Sequence, residues 1–506
     1  MNTRPNFLVV MTDDQGPWAL PQYTPELMMP NLVNLMQQST EFTQFYCASP
    51  VCSPARASLL TGRMPSAHGV LDWLFGERYE GAFEDLYLEG LHTTPELLGN
   101  SGYQCGMSGK WHVGSSQEKA PGFDFWYAHR IGGGPYYNAP IWDVNGRKAK
   151  EPRYFTDAVT EEADNFLRTR TSQQPFYLQV NYTAPHDPWL NGNHPQDLLD
   201  LYAGQDFPSI PRLEPHPWVH PRRDDFEGAF KDPIPRIQGY FAALSGVDRG
   251  LGKLLQTLED TGQADNTVVI FMADNGYSLG HHGFWGKGNG TYPMNFWECS
   301  VKVPFIIHLP GQTQSQKVEH PVSATSLHPT LCALAGVEVP EDPLAAGSNF
   351  APLLQAEGVR ADLLASSPES AGAEGYLPEP RVPAVTAALG ANDERDGAVF
   401  IYEEYGGGRM VAQGPWKLVD RYRGPRELYN LEADPDEQHN LIGDAGYQVV
   451  ESELVGLLHD WFKGHETEEL SGFHRRVYGR GQYHPLWRQL SDEETFKPHP
   501  DMTDIV

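Results

Sequence analysis

The chain has 506 residues, of which 40% are hydrophobic, and its formal net charge is −29. A chain of this length is expected to form a large domain and a smaller one. The strong negative charge argues against nucleic acid and against a membrane as partners, because anionic surfaces would repel the protein.

The five cysteines of the chain show no paired spacing. An odd count without a disulfide framework is typical of a reducing compartment. The first residues lack the pattern of a signal peptide, and we find no stretch near the roughly 20 apolar residues that cross a bilayer. We therefore predict a cytoplasmic protein.

Short apolar runs alternate with amphipathic patterns through the first part of the chain. The runs 7–11, 103–107, 176–180 and 268–272 have the composition of buried parallel strands. Patterns with helical spacing cover residues 29–38, 94–101, 156–169 and 237–259. This alternation predicts an α/β sandwich.

The composition changes near residue 356, where a segment rich in Ala, Pro and Gly begins and continues to 397. Three short strands are predicted beyond it, at 398–404, 409–412 and 416–419, followed by an amphipathic helix over 449–463. We therefore predict a catalytic domain over residues 1–375 and a smaller α+β domain over 376–506. The aromatic residues after position 470 predict a packed arm.

The segment from Cys52 to Arg63 has the pattern of a helix start. Ser53 is suited to the N-cap, Pro54 to the first helical position and Gly62 to the end. The thiol of Cys52 would then lie at a helix N-terminus, where free N–H groups and the helix dipole favour an anion. Such a position predicts a lowered thiol pKa.

Two pairs of polar residues follow predicted strands: Asp13 and Asp14 after the first, and Asp274 and Asn275 after the fourth. A single Asp at a strand end ordinarily caps a turn. Neighbouring strands would bring both pairs together at the carboxyl edge of the sheet, where a cation would offset the repulsion between carboxylates. Oxygen ligands favour Ca²⁺ or Mg²⁺ over Zn²⁺, and Ca²⁺ tolerates irregular carboxylate geometry better.

The segment around Cys52 resembles the Cys-x-Pro-x-Arg…Thr-Gly-Arg motif of the type I sulfatases, in the alkaline phosphatase superfamily, although Ala55 replaces the usual Ser. The resemblance continues at 240–248 and 416–441, so it covers nearly the whole chain. It implies an alkaline-phosphatase-like sandwich with a large mixed, mostly parallel sheet flanked by helices, and a smaller C-terminal α+β domain with an antiparallel sheet. It also implies that a maturation enzyme oxidises the cysteine to formylglycine, whose hydrate is the nucleophile.

The resemblance implies a role for each charged residue of these motifs. One divalent cation would be held by Asp13, Asp14, Asp274, Asn275 and the modified Cys52. The implied catalytic set is Cys52, Arg56, Lys110, His112, His186 and Lys287. Lys110, Lys287 and His186 would hold the sulfate group. His186 or Lys287 would protonate the departing alcohol, and His112 would take a proton from the second hydroxyl of the hydrate.

Selectivity is expected from loops around the strand ends, at 72–75, 132–142 and 189–223. We predict that Trp73, Trp189 and His282 contact the substrate, together with the sulfate-binding residues. Aromatic side chains beside polar groups suit a sugar, an aryl ring and structural packing equally well. The predicted cytoplasmic location favours a substrate small enough to import, which places a sugar or another small organic sulfate slightly ahead of an aryl sulfate. The predicted substrate is therefore a small-molecule or oligosaccharide sulfate ester.

Two other functions fit the same motifs. A phosphonate or phosphate diester hydrolase of the same superfamily would share the cation and the modified cysteine. A catalytically silent binding protein would use the scaffold alone. The oligomeric state is open, and the arm after residue 470 could close the active site of its own chain or that of a neighbouring subunit.

Overall fold

The computed structural model describes residues 4–74, 87–170, 174–190, 192–219, 224–360, 399–402, 407–422, 424–473, 481–488 and 490–496. Their framework is a ten-stranded sheet, a four-stranded sheet and surrounding helices. Among the helices of the described residues, none combines the length and the hydrophobicity that a membrane span requires.

The strands, in chain order, are β1 (Asn6–Asp13), β2 (Thr40–Phe42), β3 (Phe45–Tyr46), β4 (Gln104–Lys110), β5 (Phe125–His129), β6 (Ala139–Trp142), β7 (Lys148–Glu151), β8 (Phe176–Pro185), β9 (Thr267–Ala273), β10 (Ser278–Leu279), β11 (Trp285–Gly286), β12 (Phe305–His308), β13 (Gln316–Val318), β14 (Val322–Ser323), β15 (Val399–Tyr402), β16 (Gly408–Gln413), β17 (Trp416–Arg421) and β18 (Glu427–Asn430).

The helices are α1 (Pro30–Met36), α2 (Cys52–Thr61), α3 (Pro65–His68), α4 (Thr94–Asn100), α5 (Phe155–Thr169), α6 (Gln196–Asp200), α7 (Asp224–Lys231), α8 (Ile234–Asp260), α9 (Glu298–Val301), α10 (Leu327–Leu334), α11 (Gln448–His465) and α12 (Asp492–Thr495).

The large sheet has the order β13-β2-β12-β9-β1-β8-β4-β5-β6-β7. The central strands β9, β1, β8, β4 and β5 pair in parallel, whereas β12, β6 and β7 join antiparallel. The predicted mixed, mostly parallel sheet is therefore confirmed. Strands β1 and β9 are neighbours, and Thr12 pairs with Ala273, so the polar residues that follow each strand emerge at the same level.

The sheet is covered on both faces, which explains why its central strands are apolar throughout. In β1, Phe7, Val9 and Met11 enter one core and Leu8 and Val10 the other, as the two-residue period of a strand requires. Helices α2, α4 and α10 contribute to the first core, and α1, α5 and α8 to the second.

The predicted C-terminal antiparallel sheet is present, with the order β15-β16-β17-β18. Leu454, Leu458 and Phe462 of α11 are buried in the same core as Met410 and Leu418 of this sheet. That core also contains residues of β1, so the small sheet packs on the large domain. The predicted boundary at 375/376, most of the predicted linker and several residues of the arm lie outside the described residues.

Candidate active site

Four polar side chains meet where β1 and β9 end. Asp13, Asp14, Asp274 and Asn275 are all almost fully buried. Asn275 Nδ2 donates to Asp14 Oδ1 at 2.7 Å, and the backbone N–H of Asp14 donates to Asp274 Oδ1 at 3.3 Å. Asn275 Oδ1 is buried and has no hydrogen-bond partner. Buried polar atoms ordinarily have partners, so this oxygen is suited to a ligand role.

Cys52 lies beside these carboxylates at the start of α2. Its thiol donates to Asp13 Oδ1 at 3.2 Å. Atoms of Asp13, Asp14 and Cys52 lie within 4.8 Å of one another, a spacing that one metal ion can bridge. The predicted N-cap at Ser53 is wrong, because the helix begins at Cys52 and extended Val51 precedes it. The predicted end is confirmed, since Gly62 adopts a left-handed φ of 69°.

The predicted low thiol pKa is also wrong. Burial, and then the Asp13 carboxylate, raise the pKa of Cys52 to about 12, although Lys110 and Lys287 act in the opposite direction. Desolvation disfavours a thiolate more than the helix N-terminus favours it. The thiol therefore stays protonated at neutral pH, which disfavours unmodified Cys52 as the nucleophile.

Three buried cations surround the carboxylates, and each contacts one of them. Lys110 Nζ lies 2.5 Å from Asp13 Oδ2, and Arg56 Nε lies 2.8 Å from Asp274 Oδ2. Lys287 Nζ contacts Asp14 Oδ1 at 2.5 Å and donates to the Cys52 sulfur at 2.8 Å.

These contacts have opposite effects on different carboxyl groups. Although burial opposes it, Lys110 and then His186 hold the pKa of Asp13 well below its usual range. Burial and the nearby Asp13 charge raise the pKa of Asp274 to about 6 despite Arg56. The three cations thus stabilise one strongly ionised carboxylate and a second that ionises near neutral pH.

The two predicted catalytic histidines have opposite proton affinities. Burial and then Lys110 hold the pKa of His112 well below its usual value. Its Nε2 lies 2.9 Å from the Leu74 carbonyl. Since a carbonyl only accepts, Nε2 carries the hydrogen, and the buried Nδ1, which has no partner, can accept a proton.

His186 instead favours the protonated form. Burial opposes protonation, but Asp187 and Asp14 raise the pKa of the imidazole. Its Nδ1 lies 2.8 Å from the Asp187 carbonyl, and its Nε2 lies 3.7 Å from Asp14 Oδ2. The site therefore holds one imidazole suited to accept a proton and one suited to donate it.

A cavity of about 770 Å³ opens above this charged group. Cys52, His112, His186 and Lys287 lie on its wall, whereas Lys110 and Arg56 are buried beneath. The cavity is large enough for a substrate well beyond the size of sulfate.

Comparisons with known proteins point to one family. A family model described as Sulfatase matches residues 5–337. The chain belongs to the sulfatase family. It is 27% identical to N-acetylglucosamine-6-O-sulfatase of Bacteroides thetaiotaomicron, covering 92% of this chain and 88% of that protein. It is 29% identical to choline-sulfatase of Rhizobium meliloti, covering 89% and 85%.

The fold of the sulfatase is also found in solved structures. One of them, a protein in complex with its substrate D-glucosamine-2-N,6-O-disulfate, has a TM-score of 0.70 and 24% identity, covering 91% of this chain and 98% of that one. The expected family, fold and sulfuric ester hydrolase activity are thereby confirmed.

Trp73 and Trp189 of the sulfatase both line the cavity. Three further polar residues on its wall, Asn193, Arg236 and Asn289, escaped sequence analysis. Asn193 falls within a predicted loop, whereas Arg236 and Asn289 belong to no motif. Only the folded chain brings them to the wall.

Of the predicted substrate-binding residues, Lys110 lies beneath this cavity and His282 lies away from it. Its ring stacks on Trp297 with 4.5 Å between centroids and 2° between planes. Its Nε2 lies 3.9 Å from Glu437 Oε2. His282 lies within the short turn His281–Gly283, where its φ is 53°, and this turn precedes Lys287 in the chain. We therefore remove His282 from the substrate-binding set. Positions 75, 191 and 220–223 of the predicted loops lie outside the described residues.

Proposed function

We propose that this sulfatase hydrolyses a sugar sulfate, using formylglycine derived from Cys52 and one bound Ca²⁺. The observation that carries the catalytic part is the position of Cys52: Asp13, Asp14 and Lys287 all lie within 4.0 Å of its sulfur. A side chain between carboxylates and an ammonium group can contact both a cation and an anionic substrate.

The donor set fits a hard divalent cation. Three carboxylates and the unpartnered Asn275 Oδ1 supply only oxygen, which Ca²⁺ and Mg²⁺ prefer. We favour Ca²⁺ because it tolerates irregular and bidentate carboxylate geometry, whereas Mg²⁺ demands a near-ideal octahedron. Bound there, the cation would acidify a hydroxyl group and attract the sulfate oxygens.

Position 52 also fits the modification. When formed, the formylglycine hydrate supplies two hydroxyl groups on one carbon, one to attack sulfur and one to assist release of sulfate. Cys52 lies at the first position of α2 and on the cavity wall, so its side chain is within reach of a substrate. Arg56, one helical turn further on, adds a fixed positive charge.

The charge of each surrounding side chain indicates the role that it would have in the reaction. Lys110 and Lys287 would hold the equatorial oxygens of the sulfate group, where negative charge develops. His186 would donate a proton from Nε2 to the departing alcohol, because its neighbours favour the protonated form. His112 would accept a proton at Nδ1, because it is neutral and this atom is free of hydrogen bonds.

The cavity wall supports the choice of a sugar. Trp73 and Trp189 offer ring faces, and Asn193, Asn289 and Arg236 offer polar groups between them. Hydroxyl-rich rings need both kinds of contact, whereas aryl and alkyl groups need only the first. Among the relatives, N-acetylglucosamine-6-O-sulfatase acts on a sugar by its name.

Replacing the nucleophile tests the catalytic part. In Cys52→Ala, sulfate release should stop while circular dichroism stays unchanged. Cys47→Ala is a matched control, because Cys47 is also buried, precedes Cys52 closely in the chain and does not line the cavity. Sulfate release by folded Cys52→Ala would overturn the proposal, as would an unmodified residue 52 in mass spectra of the active protein.

A substrate panel tests the rest. Matured protein should release sulfate from N-acetylglucosamine 6-sulfate or a related sugar sulfate at a higher kcat/KM than from choline sulfate or an aryl sulfate. Faster turnover of a phosphonate monoester than of every sulfate ester would instead favour the phosphonate hydrolase function. The maturation enzyme as a partner, the cytoplasmic location and the oligomeric state remain predictions.

A further inference from the structure

The C-terminal arm, comprising the described residues 481–488 and 490–496, returns to the edge of the active site. It packs on residues 69–74, which we call the Leu74 segment. Leu486 and Phe496 of the arm are buried with Leu71 of the segment. Gln482 forms a parallel bridge with Leu74. The arm therefore contacts a segment that belongs to the catalytic domain and lies some 400 residues earlier in the chain.

Gln482 makes three polar contacts with the Leu74 segment, and its side chain is fully buried. Its Oε1 accepts from the backbone N–H of Leu71 at 2.9 Å, and its Nε2 donates to the carbonyl of Gly69 at 2.9 Å. Its backbone N–H donates to the Trp73 carbonyl at 2.7 Å. The side-chain amide thus fixes the segment at two points, Gly69 and Leu71, and the backbone N–H adds a third at Trp73.

The segment in turn contacts two parts of the catalytic site. The N–H of Leu74 donates to Ser53 Oγ at 3.1 Å, next to Cys52. The carbonyl of Leu74 accepts from His112 Nε2 at 2.9 Å. A short path of contacts therefore leads from Gln482 through the Leu74 segment to the imidazole of His112.

We infer that Gln482 is a positioning residue for His112. By fixing the Leu74 segment, it holds the carbonyl that keeps the hydrogen of His112 on Nε2 and leaves Nδ1 open. The inference rests on the role proposed above for His112 as a proton acceptor. A carbonyl that can move would hold neither the tautomer nor the ring orientation, and proton acceptance requires both.

The first test reads the tautomer directly and needs no turnover. Protein labelled with ¹⁵N-histidine is examined by NMR, and the signals of His112 are identified by their absence from His112→Ala. Wild-type protein should show His112 as the Nε2–H tautomer alone. Gln482→Leu, which keeps the side-chain volume but loses its hydrogen bonds, should show a mixture of tautomers. Gln482→Asn, one methylene shorter, replaces it if the Leu variant fails to fold.

The second test measures kinetics of matured protein. Gln482→Leu should lower kcat roughly 10- to 100-fold with little change in KM. In a His112→Ala background it should lower kcat no further, since both changes remove the same function. Trp487→Ala is the control, because Trp487 belongs to the arm but is 52% exposed; it should behave as wild type.

Two results would overturn the inference: a folded Gln482 variant with an unchanged tautomer and kcat, or additive effects of the Gln482 and His112 changes. A tautomer change in a protein that hydrolyses no sulfate ester would instead leave the positioning role intact and refute the proposed function.

Discussion

The Gly132→Ala substitution should impair catalysis by displacing one histidine. A Cβ atom at position 132 would lie 2.2 Å from Cε1 and 2.3 Å from Nε2 of His112. Ordinary contact begins near 3.4 Å, so the ring or the loop must move by about 1 Å. The Leu74 carbonyl is hydrogen-bonded to the same Nε2 at 2.9 Å, so the imidazole cannot move away from the new Cβ without disturbing that hydrogen bond.

The expected cost follows from this displacement. A misplacement of about 1 Å at a reacting group lowers rates roughly 100-fold, which corresponds to about 2.7 kcal/mol in activation free energy. The assay is steady-state release of sulfate by the matured sulfatase, with kcat and KM measured separately. We expect the loss in kcat, because His112 would act on a proton and not on substrate binding.

Neighbouring glycines supply controls. A Cβ at Gly133 would lie 2.8 Å from Cε1 of His186, so Gly133→Ala should impair activity to a smaller degree. A Cβ at Gly134 would meet its nearest atom at 3.6 Å, an ordinary contact, so Gly134→Ala should retain activity. Equal kcat for folded Gly132→Ala and Gly134→Ala would refute the reasoning.

Three further predictions concern the cation, a buried ion network and pH. Ca²⁺ at 100 times Kd should stabilise the wild type by about 2.7 kcal/mol, which calorimetry detects as a rise in Tm. The Tm of Asp274→Asn should stay almost unchanged on addition of Ca²⁺, and equal Tm shifts in the two proteins would contradict the assigned site. Lys417 Nζ lies 2.9 Å from the partly buried Glu298 and 2.6 Å from the fully buried Glu437. Lys417→Met should therefore cost about 3–5 kcal/mol in urea unfolding, and a loss below about 1 kcal/mol would contradict this. Burial raises the pKa of Glu437 from 4.5 to about 7, although Lys417 opposes it. Between these two pKa values the native state binds a proton that the unfolded chain has released, so the free energy of unfolding falls as pH rises. Glu437→Gln should lack this decline, and an identical pH dependence of stability in the variant and the wild type would refute the prediction.

The central strands and the long helices were predictable because their signals are local. Uninterrupted apolar runs identified β1, β8 and β9, and helical periodicity identified α5 and α8 to within three residues at either end. Short edge strands were missed: β7, with the sequence Lys-Ala-Lys-Glu, is largely exposed and lacks an apolar pattern. The order of the strands depends on contacts between distant segments, which no local pattern records.

The candidate site also has features with a local sequence signal, which were predictable, and features that depend on the folded chain, which were not. Polar residues at strand ends were found from sequence because parallel strands bring their carboxyl ends to one edge. The raised pKa of Cys52 was not, because burial and the approach of Asp13 exist only in the folded chain. Gln482 carried no signal either, since its contacts with the Leu74 segment join distant parts of the chain.

The charged side chains beneath the cavity cancel one another. Asp13, Asp14 and Asp274 face Arg56, Lys110 and Lys287, so three negative charges meet three positive ones. Each of these buried carboxylates therefore has a cationic partner within the protein itself. Protonated His186 adds one positive charge, so a bound divalent cation would leave the pocket with three positive charges in excess, which favours binding of the sulfate dianion. Inorganic sulfate should consequently be a better inhibitor of the metal-loaded protein than of the metal-free one.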